Sequence, residues 1–255
     1  MEQFRACAAR SPWARGSGAS LGVMRIVALG DSIARGVGDL GSGGDVPAWS
    51  GRLAHRLGAA QHSVRARAGA RIDDVIHHQL NHPVSQTADI ALLSAGGNDL
   101  LQRDFRLENF AEGLSAVLTR IRASTATTVM LTLPDYSEAW PLPRRVKAGL
   151  RRRIADVNGV LQASAADDVL LIDQAGERLL QGSEMHHPDR VHLSPAGYQA
   201  LADLTATRLG LPLLHPPLPV DAPPGMCAWQ PSFADLRRGL RRLPVLTEMA
   251  AATDR

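Results

Sequence analysis

The chain has 255 residues, of which 45% are hydrophobic, 21% charged and 4% aromatic, with 23 glycines and 16 prolines; this excludes collagen-like, low-complexity and wholly disordered chains. The net charge of +3 is interleaved with acidic residues and forms no basic stripe, so no nucleic-acid partner is expected, and no run approaches the ~18 apolar residues of a transmembrane segment. Two cysteines, Cys7 and Cys227, exclude a disulfide framework and a Cys-x-x-Cys zinc pair.

Residues 1–23 carry Arg5, Arg10 and Arg15 but no apolar segment of the length an export signal needs, and Met24 directly precedes the first strand. A disordered extension is expected there, with Met24 as the natural start. Ile26-Val27-Ala28-Leu29 reads as a buried strand ending at Gly30. A helix is expected from Pro47 to Leu57, with proline in its first turn and Gly58 as its stop. Val64 begins a weak second strand, Ile72 to Leu80 forms a helix, and Ile90 to Leu93 is a third strand entering Gly96-Gly97. Leu107, Phe110, Leu114, Val117, Leu118 and Ile121 share one helical face. Val129 to Leu133 is a strand stopped by Pro134. Val146, Leu150, Ile154, Val157 and Leu161 mark the next helix, and Val169 to Ile172 is the fifth strand. Ser194-Pro195 caps a last helix running to Leu209.

Strand and helix alternating five times predict an α/β fold: a five-stranded parallel sheet covered on both faces, that is, a three-layer α/β/α sandwich. The domain is expected to span 24–211. Residues 212–255 read as a Pro-rich tail, since seven of the 16 prolines lie in 215–255, with a short basic amphipathic helix from Phe233 to Leu243.

In such sheets chemistry collects at the carboxyl ends of the strands. After the first strand, Gly30-Asp31-Ser32 sets a serine at the tip of a strand-to-helix turn, a natural position for a nucleophile; an ordinary turn is the plain alternative. No G-x-S-x-G is present, which argues against the usual α/β-hydrolase elbow. Gly96-Gly97-Asn98-Asp99 offers the Asn98 side chain as an oxyanion donor, or else an Asx turn or helix cap. Gly69, in Ala68-Gly69-Ala70, can add a backbone N–H. In Asp189-Arg190-Val191-His192 a carboxylate and an imidazole stand three residues apart. The carboxylate can hold one ring nitrogen and leave the other as a base, although a capping aspartate beside a surface histidine uses the same residues. His186, His187 and Asp189 also invite a metal reading, against which stands the lack of His-x-x-x-His spacing.

Taken in chain order, these segments resemble the SGNH (GDSL-type) hydrolase superfamily over roughly residues 25–210. The first block is Ile26-Val27-Ala28-Leu29-Gly30-Asp31-Ser32, with Ile33 in place of the usual leucine; the third is Gly96-Gly97-Asn98-Asp99 and the last Asp189-Arg190-Val191-His192. The second block departs from the pattern, since Gly69 follows Ala68 without the polar residues often found there. The resemblance implies a flavodoxin-like SGNH hydrolase fold and a serine esterase acting on a small-molecule ester. Ser32 would be the nucleophile, His192 the general base and acid, and Asp189 the residue that orients His192. The oxyanion hole would comprise the N–H groups of Ser32 and Gly69 and the side chain of Asn98. Asp31 is expected to brace the turn, and no metal or cofactor is expected.

The loops Gly36 to Trp49 and Asp135 to Pro143 are expected to line the mouth, with Trp49, Tyr136 and Trp140 as its walls. No long lipid groove is indicated, so a short acyl ester on a sugar or small metabolite is preferred, with lysophospholipid and thioester substrates as alternatives. The rivals from other classes are a noncatalytic flavodoxin-like binding module and a metal-dependent phosphoester hydrolase using Asp31, Asp189 and the histidines. With no export signal, the expected compartment is cytoplasmic.

Overall fold

Five strands, β1 (Arg25–Gly30), β2 (Gln61–Val64), β3 (Ile90–Ser94), β4 (Thr127–Leu131) and β5 (Val169–Ile172), pair in parallel in the order β2-β1-β3-β4-β5. The computed structural model describes residues 24–39, 48–81 and 88–220; the expected N-terminal extension and the expected helix at 233–243 lie outside the described residues. The helices are α1 (Ser32–Arg35), α2 (Ala48–Leu57), α3 (Ile72–Asp74), which runs on into a π turn at Val75–Gln79, α4 (Leu107–Arg122), α5 (Arg144–Ser164) and α6 (Pro195–Leu209).

Successive strand side chains point to opposite faces of a sheet, so a strand covered on both sides must be apolar throughout. β3 is buried at every position, and its residues divide accordingly. Ala91 and Leu93, with Val27, Leu29 and Met130, pack against Ile72, Val75, Leu114, Val117, Leu150 and Val157 on the α3–α4–α5 side. Ile90 and Leu92, with Ile26, Val129 and Ile172, pack against Leu53, Leu57, Tyr198 and Leu201 on the α2–α6 side. The result is the three-layer sandwich the alternation predicts.

Some boundaries differ from the sequence expectations. The second strand ends at Val64 instead of beginning there, because its polar residues Gln61, His62 and Ser63 are held by backbone pairing to Arg25–Val27 at the sheet edge. The fourth strand takes in the β-branched Thr127 and Thr128 and stops at Leu131. The segment from Ile72 begins as an α-helix but passes into the π turn.

A buried ion pair fixes the chain that follows α1. Arg52 of α2 grips Asp39 through two hydrogen bonds of 2.7 and 2.8 Å, the two side chains are 2% and 1% exposed, and Arg52 also donates to Gln199 of α6. Removing one partner of such a pair costs about 3–5 kcal/mol, because the other charge is left buried alone. The Tyr198 hydroxyl donates to the Val37 carbonyl at 3.0 Å, which ties the same segment to α6. Beyond α6 the chain continues along α2, with the Leu214 N–H donating to the Arg56 carbonyl at 2.7 Å. Among the described residues no helix is long and apolar enough to cross a membrane.

Candidate active site

Strand order reverses direction between β1 and β3, so the connections leaving their carboxyl ends diverge to opposite faces and open a crevice. Ser32 follows β1 and Asn98 follows β3, placing both at that crevice.

The turn carrying Ser32 is built by close backbone approach. Gly30 has φ 114°, and a Cβ there would lie 1.8 Å from the Ser94 carbonyl oxygen, so only glycine fits. Asp31 then takes an extended conformation and donates its N–H to that same carbonyl at 3.0 Å. Its Oδ1 accepts from the Ser94 hydroxyl at 2.9 Å and from the Ile33 N–H at 3.0 Å, capping α1. Burial pushes the Asp31 carboxyl up to about 6, although the hydrogen bonds from Ser94 and Ile33 pull the other way. The bracing role expected of Asp31 therefore includes a side-chain partner from β3. Ser32 itself begins α1, where the backbone N–H has no helical carbonyl to reach.

Gln79, in the π turn, clamps the same corner. Its side-chain carbonyl accepts from the Gly30 N–H at 2.6 Å, and its amide donates to the Gly30 carbonyl at 2.9 Å. The side chain is buried, 49 residues away in sequence, and its role was not apparent from the sequence. The only local hint is a polar residue inside an otherwise apolar helical face.

His192 reaches the serine from the other end of the chain. His192 Nε2 lies 2.8 Å from Ser32 Oγ, and His192 Nδ1 lies 2.7 Å from Asp189 Oδ2. Asp189 also shapes the loop: its Oδ1 accepts the N–H groups of Val191 and His192 at 2.9 and 3.0 Å, an Asx-type turn and not a helical one. Further bonds, His187 N–H to the His192 carbonyl and Arg190 N–H to the His187 carbonyl, close the loop before Ser194 caps α6. Partial burial raises the Asp189 carboxyl, but the hydrogen bond and charge of His192 and the two backbone N–H groups outweigh it and hold the group well below the ordinary carboxylate range. His187, considered earlier for metal, sets its Nδ1 3.0 Å from Asp189 Oδ2.

The remaining two expected residues stand on neighbouring loops. The Asn98 side-chain amide donates to the Ala70 carbonyl at 3.0 Å, which orients it and leaves its second hydrogen free. Gly69, next to Ala70, is exposed with φ 79°, a left-handed conformation that favours glycine. Asp99, 8% exposed, accepts from the Ile72 N–H, and burial pushes its carboxyl up to about 6. It links the Asn98 loop to α3.

A pocket with an empty volume of about 510 Å3, its open mouth included, begins at Ser32 and Asn98. Ile33, Leu101, Leu133, Tyr136, Trp140 and Val191 supply its apolar lining. The Tyr136 and Trp140 rings pack at 5.9 Å, and the phenol stays neutral because burial, then the charges of Asp31, Asp135 and Asp99, raise its pKa. The expectation for Trp49 is corrected: it is 0% exposed, belongs to the core between α2 and α6, and bonds through Nε1 to Thr205 Oγ1. Part of the Gly36–Trp49 loop, residues 40–47, lies outside the described residues. Asn158 of α5 holds the pocket wall in place by bonding both the N–H and the carbonyl of Leu133, at 2.7 and 2.8 Å.

The sandwich is similar to several solved structures at identities that speak for the fold. A lipase, Lip_vut3, from a goat rumen metagenome shares 22% identity at a TM-score of 0.55, covering 73% of this chain and 97% of its own. A lipase/acylhydrolase from Enterococcus faecalis shares 18% at 0.56, covering 76% and 100%. A variant of Axe2, an acetyl xylan esterase from Geobacillus stearothermophilus, shares 18% at 0.55, covering 77% and 99%. No curated protein matches the chain in sequence. The family described as GDSL-like Lipase/Acylhydrolase matches residues 28–200, more than half of the chain and a stretch running from the Ser32 turn to α6. The chain belongs to that family.

Proposed function

We propose that the protein is a serine esterase that hydrolyses a short-chain carboxylic ester through an acyl-enzyme on Ser32. The observation that carries this reading is the continuous hydrogen-bonded line from Ser32 Oγ through His192 to Asp189, with 2.8 and 2.7 Å contacts. Membership of a lipase/acylhydrolase family supports an acyl bond, here read as a carboxylic ester, as the one attacked.

In this mechanism His192 Nε2 takes the Ser32 proton as Oγ attacks the ester carbonyl carbon. Asp189, acceptor of the Nδ1 hydrogen, fixes the ring tautomer and stabilises the imidazolium that forms. Negative charge develops on the carbonyl oxygen, and the N–H groups of Ser32 and Gly69 with the free amide hydrogen of Asn98 are its donors. The alcohol leaves with the proton from His192. Water, deprotonated by the same imidazole, then attacks the acyl-enzyme, and Ser32 recovers its proton as the acid departs.

The test is hydrolysis of p-nitrophenyl esters of graded chain length, with and without EDTA, by wild type and Ser32→Ala. Wild type is expected to hydrolyse the short esters equally well with EDTA, and Ser32→Ala to lower kcat by about 10⁴ or more. A Ser32→Ala variant that retains wild-type turnover refutes the acyl-enzyme. Loss of activity in EDTA points to the metal-dependent alternative, and an inert wild type that resists fluorophosphonate labelling points to a binding module.

A further inference from the structure

His187 opens the four-residue turn His187-Pro188-Asp189-Arg190, which the Arg190 N–H closes by donating to the His187 carbonyl at 2.8 Å. Proline suits the second position because its ring presets φ. Asp189 is third, and Arg190 follows with φ 60°, a left-handed conformation that a non-glycine residue keeps only where its surroundings fix it. The His187 N–H donates to the His192 carbonyl at 2.9 Å, so the turn that presents the carboxylate also brackets the base.

In the commonest turns the first position favours Asp, Asn or Ser, whose side chains accept the N–H two residues on. Here an imidazole fills that place. The Asp189 N–H donates to His187 Nδ1 at 3.4 Å, and the same nitrogen lies 3.0 Å from Asp189 Oδ2. A ring nitrogen serves one of these partners at a time: with its lone pair it accepts the N–H, and with a hydrogen it is drawn to the carboxylate. In both forms its partner is Asp189. The oxygen it approaches is the one that bonds His192 Nδ1, while Oδ1 is taken by the N–H groups of Val191 and His192. The root of the ring is held from outside as well. A Cβ built on Gly38 would lie 3.4 Å from His187 Cβ, and Gly38 stands between Val37 and Asp39, which are tied to Tyr198 and Arg52. We infer that His187 is a positioning residue for the reaction, whose Nδ1 sets the Asp189 carboxylate toward His192. This rests on the esterase reading and adds to it a residue that acts through Asp189 and not on the substrate.

The experiment measures kcat and KM for p-nitrophenyl acetate, beside thermal unfolding, in wild type, His187→Ala, His187→Asn and His187→Gln, and repeats His187→Ala in an Asp189→Asn background. An Asn amide sets a polar atom where Nδ1 stands, whereas a Gln amide lies one bond further out. His187→Ala is expected to lower kcat by about 10- to 100-fold, the scale of a misplacement of up to 1 Å, while KM changes by less than about threefold. His187→Asn is expected to recover most of that loss, and His187→Gln little of it. In the Asp189→Asn background the same His187→Ala step should cost less than about threefold in kcat, since effects that pass through one shared group do not add. Should His187→Ala fail to fold, the contrast in kcat between Asn and Gln decides. An unchanged kcat in His187→Ala, equal activity in the Asn and Gln variants, or the full loss in both backgrounds overturns the inference while leaving the esterase reading standing. A wild type that does not hydrolyse the ester overturns the esterase reading and this assignment with it.

Discussion

Replacing Asp31 by Asn isolates the energetic consequence of burying a carboxylate behind the nucleophile. Asp31 is 4% exposed, and burial moves its carboxyl from 3.8 to about 6. A carboxyl with a folded pKa above its unfolded value binds more protons when folded, so stability is greatest below about pH 4 and declines as pH rises through about 6. The displacement corresponds to roughly 3 kcal/mol of stability forgone by neutral pH. Asn keeps a side-chain oxygen to accept from Ser94 and Ile33 but has nothing to ionise. The variant should match or trail wild type at pH 4 and exceed it at pH 7.5 by roughly 3 kcal/mol, about 6–12 °C in Tm for a domain of this size. Thermal unfolding followed by circular dichroism at pH 4, 5.5 and 7.5 measures the gap. Asp99, also raised to about 6, is common to both proteins and largely cancels in the difference. Two stability curves that run parallel across this range would refute the account of Asp31 as a buried anion at neutral pH.

Three further substitutions probe the rest of the site. Asn98→Ala should lower kcat by about 10²–10³ through loss of an oxyanion donor, while the lost bond to Ala70 costs only about 1 kcal/mol of stability; steady-state kinetics beside a melting curve separates the two, and activity within threefold of wild type removes Asn98 from the mechanism. Asp189→Asn can keep the turn through its Oδ1 acceptor yet presents an amide donor to His192 Nδ1, so kcat should fall by up to about 10⁴ with little change in KM. Gln79→Ala leaves the buried Gly30 N–H without its partner, at a cost of about 1–3 kcal/mol; urea unfolding is expected to show that loss together with a lower kcat, and an unchanged kcat would limit Gln79 to a purely structural part.

Local chemistry made some elements legible to the residue. Val169–Ile172 is the fifth strand as expected, and α6 starts after Ser194 at Pro195 and ends at Leu209 as expected, because caps act through neighbouring backbone groups. β2 was misplaced because an edge strand can be held by backbone pairing without an apolar pattern. Trp49 and Trp140 each follow an alanine in sequence, yet one is sealed between α2 and α6 and the other lines the pocket. Packing alone separates them. The two bonds from Gln79 to Gly30 likewise depend on packing, since the sequence offers only a polar residue inside an apolar helical face.

The sequence by itself determined the α/β alternation and which chemical groups stand at the ends of the strands, since periodicity, caps and turns are short-range effects. Only the tertiary structure decided that those groups meet. Ser32 and His192 are 160 residues apart, and their 2.8 Å contact exists because β1 and β3 lie side by side at the reversal of the sheet while the loop before α6 folds back over the same edge. Strand order is a property of the whole core, selected by how two apolar faces are covered at once, and no stretch of chain encodes it alone.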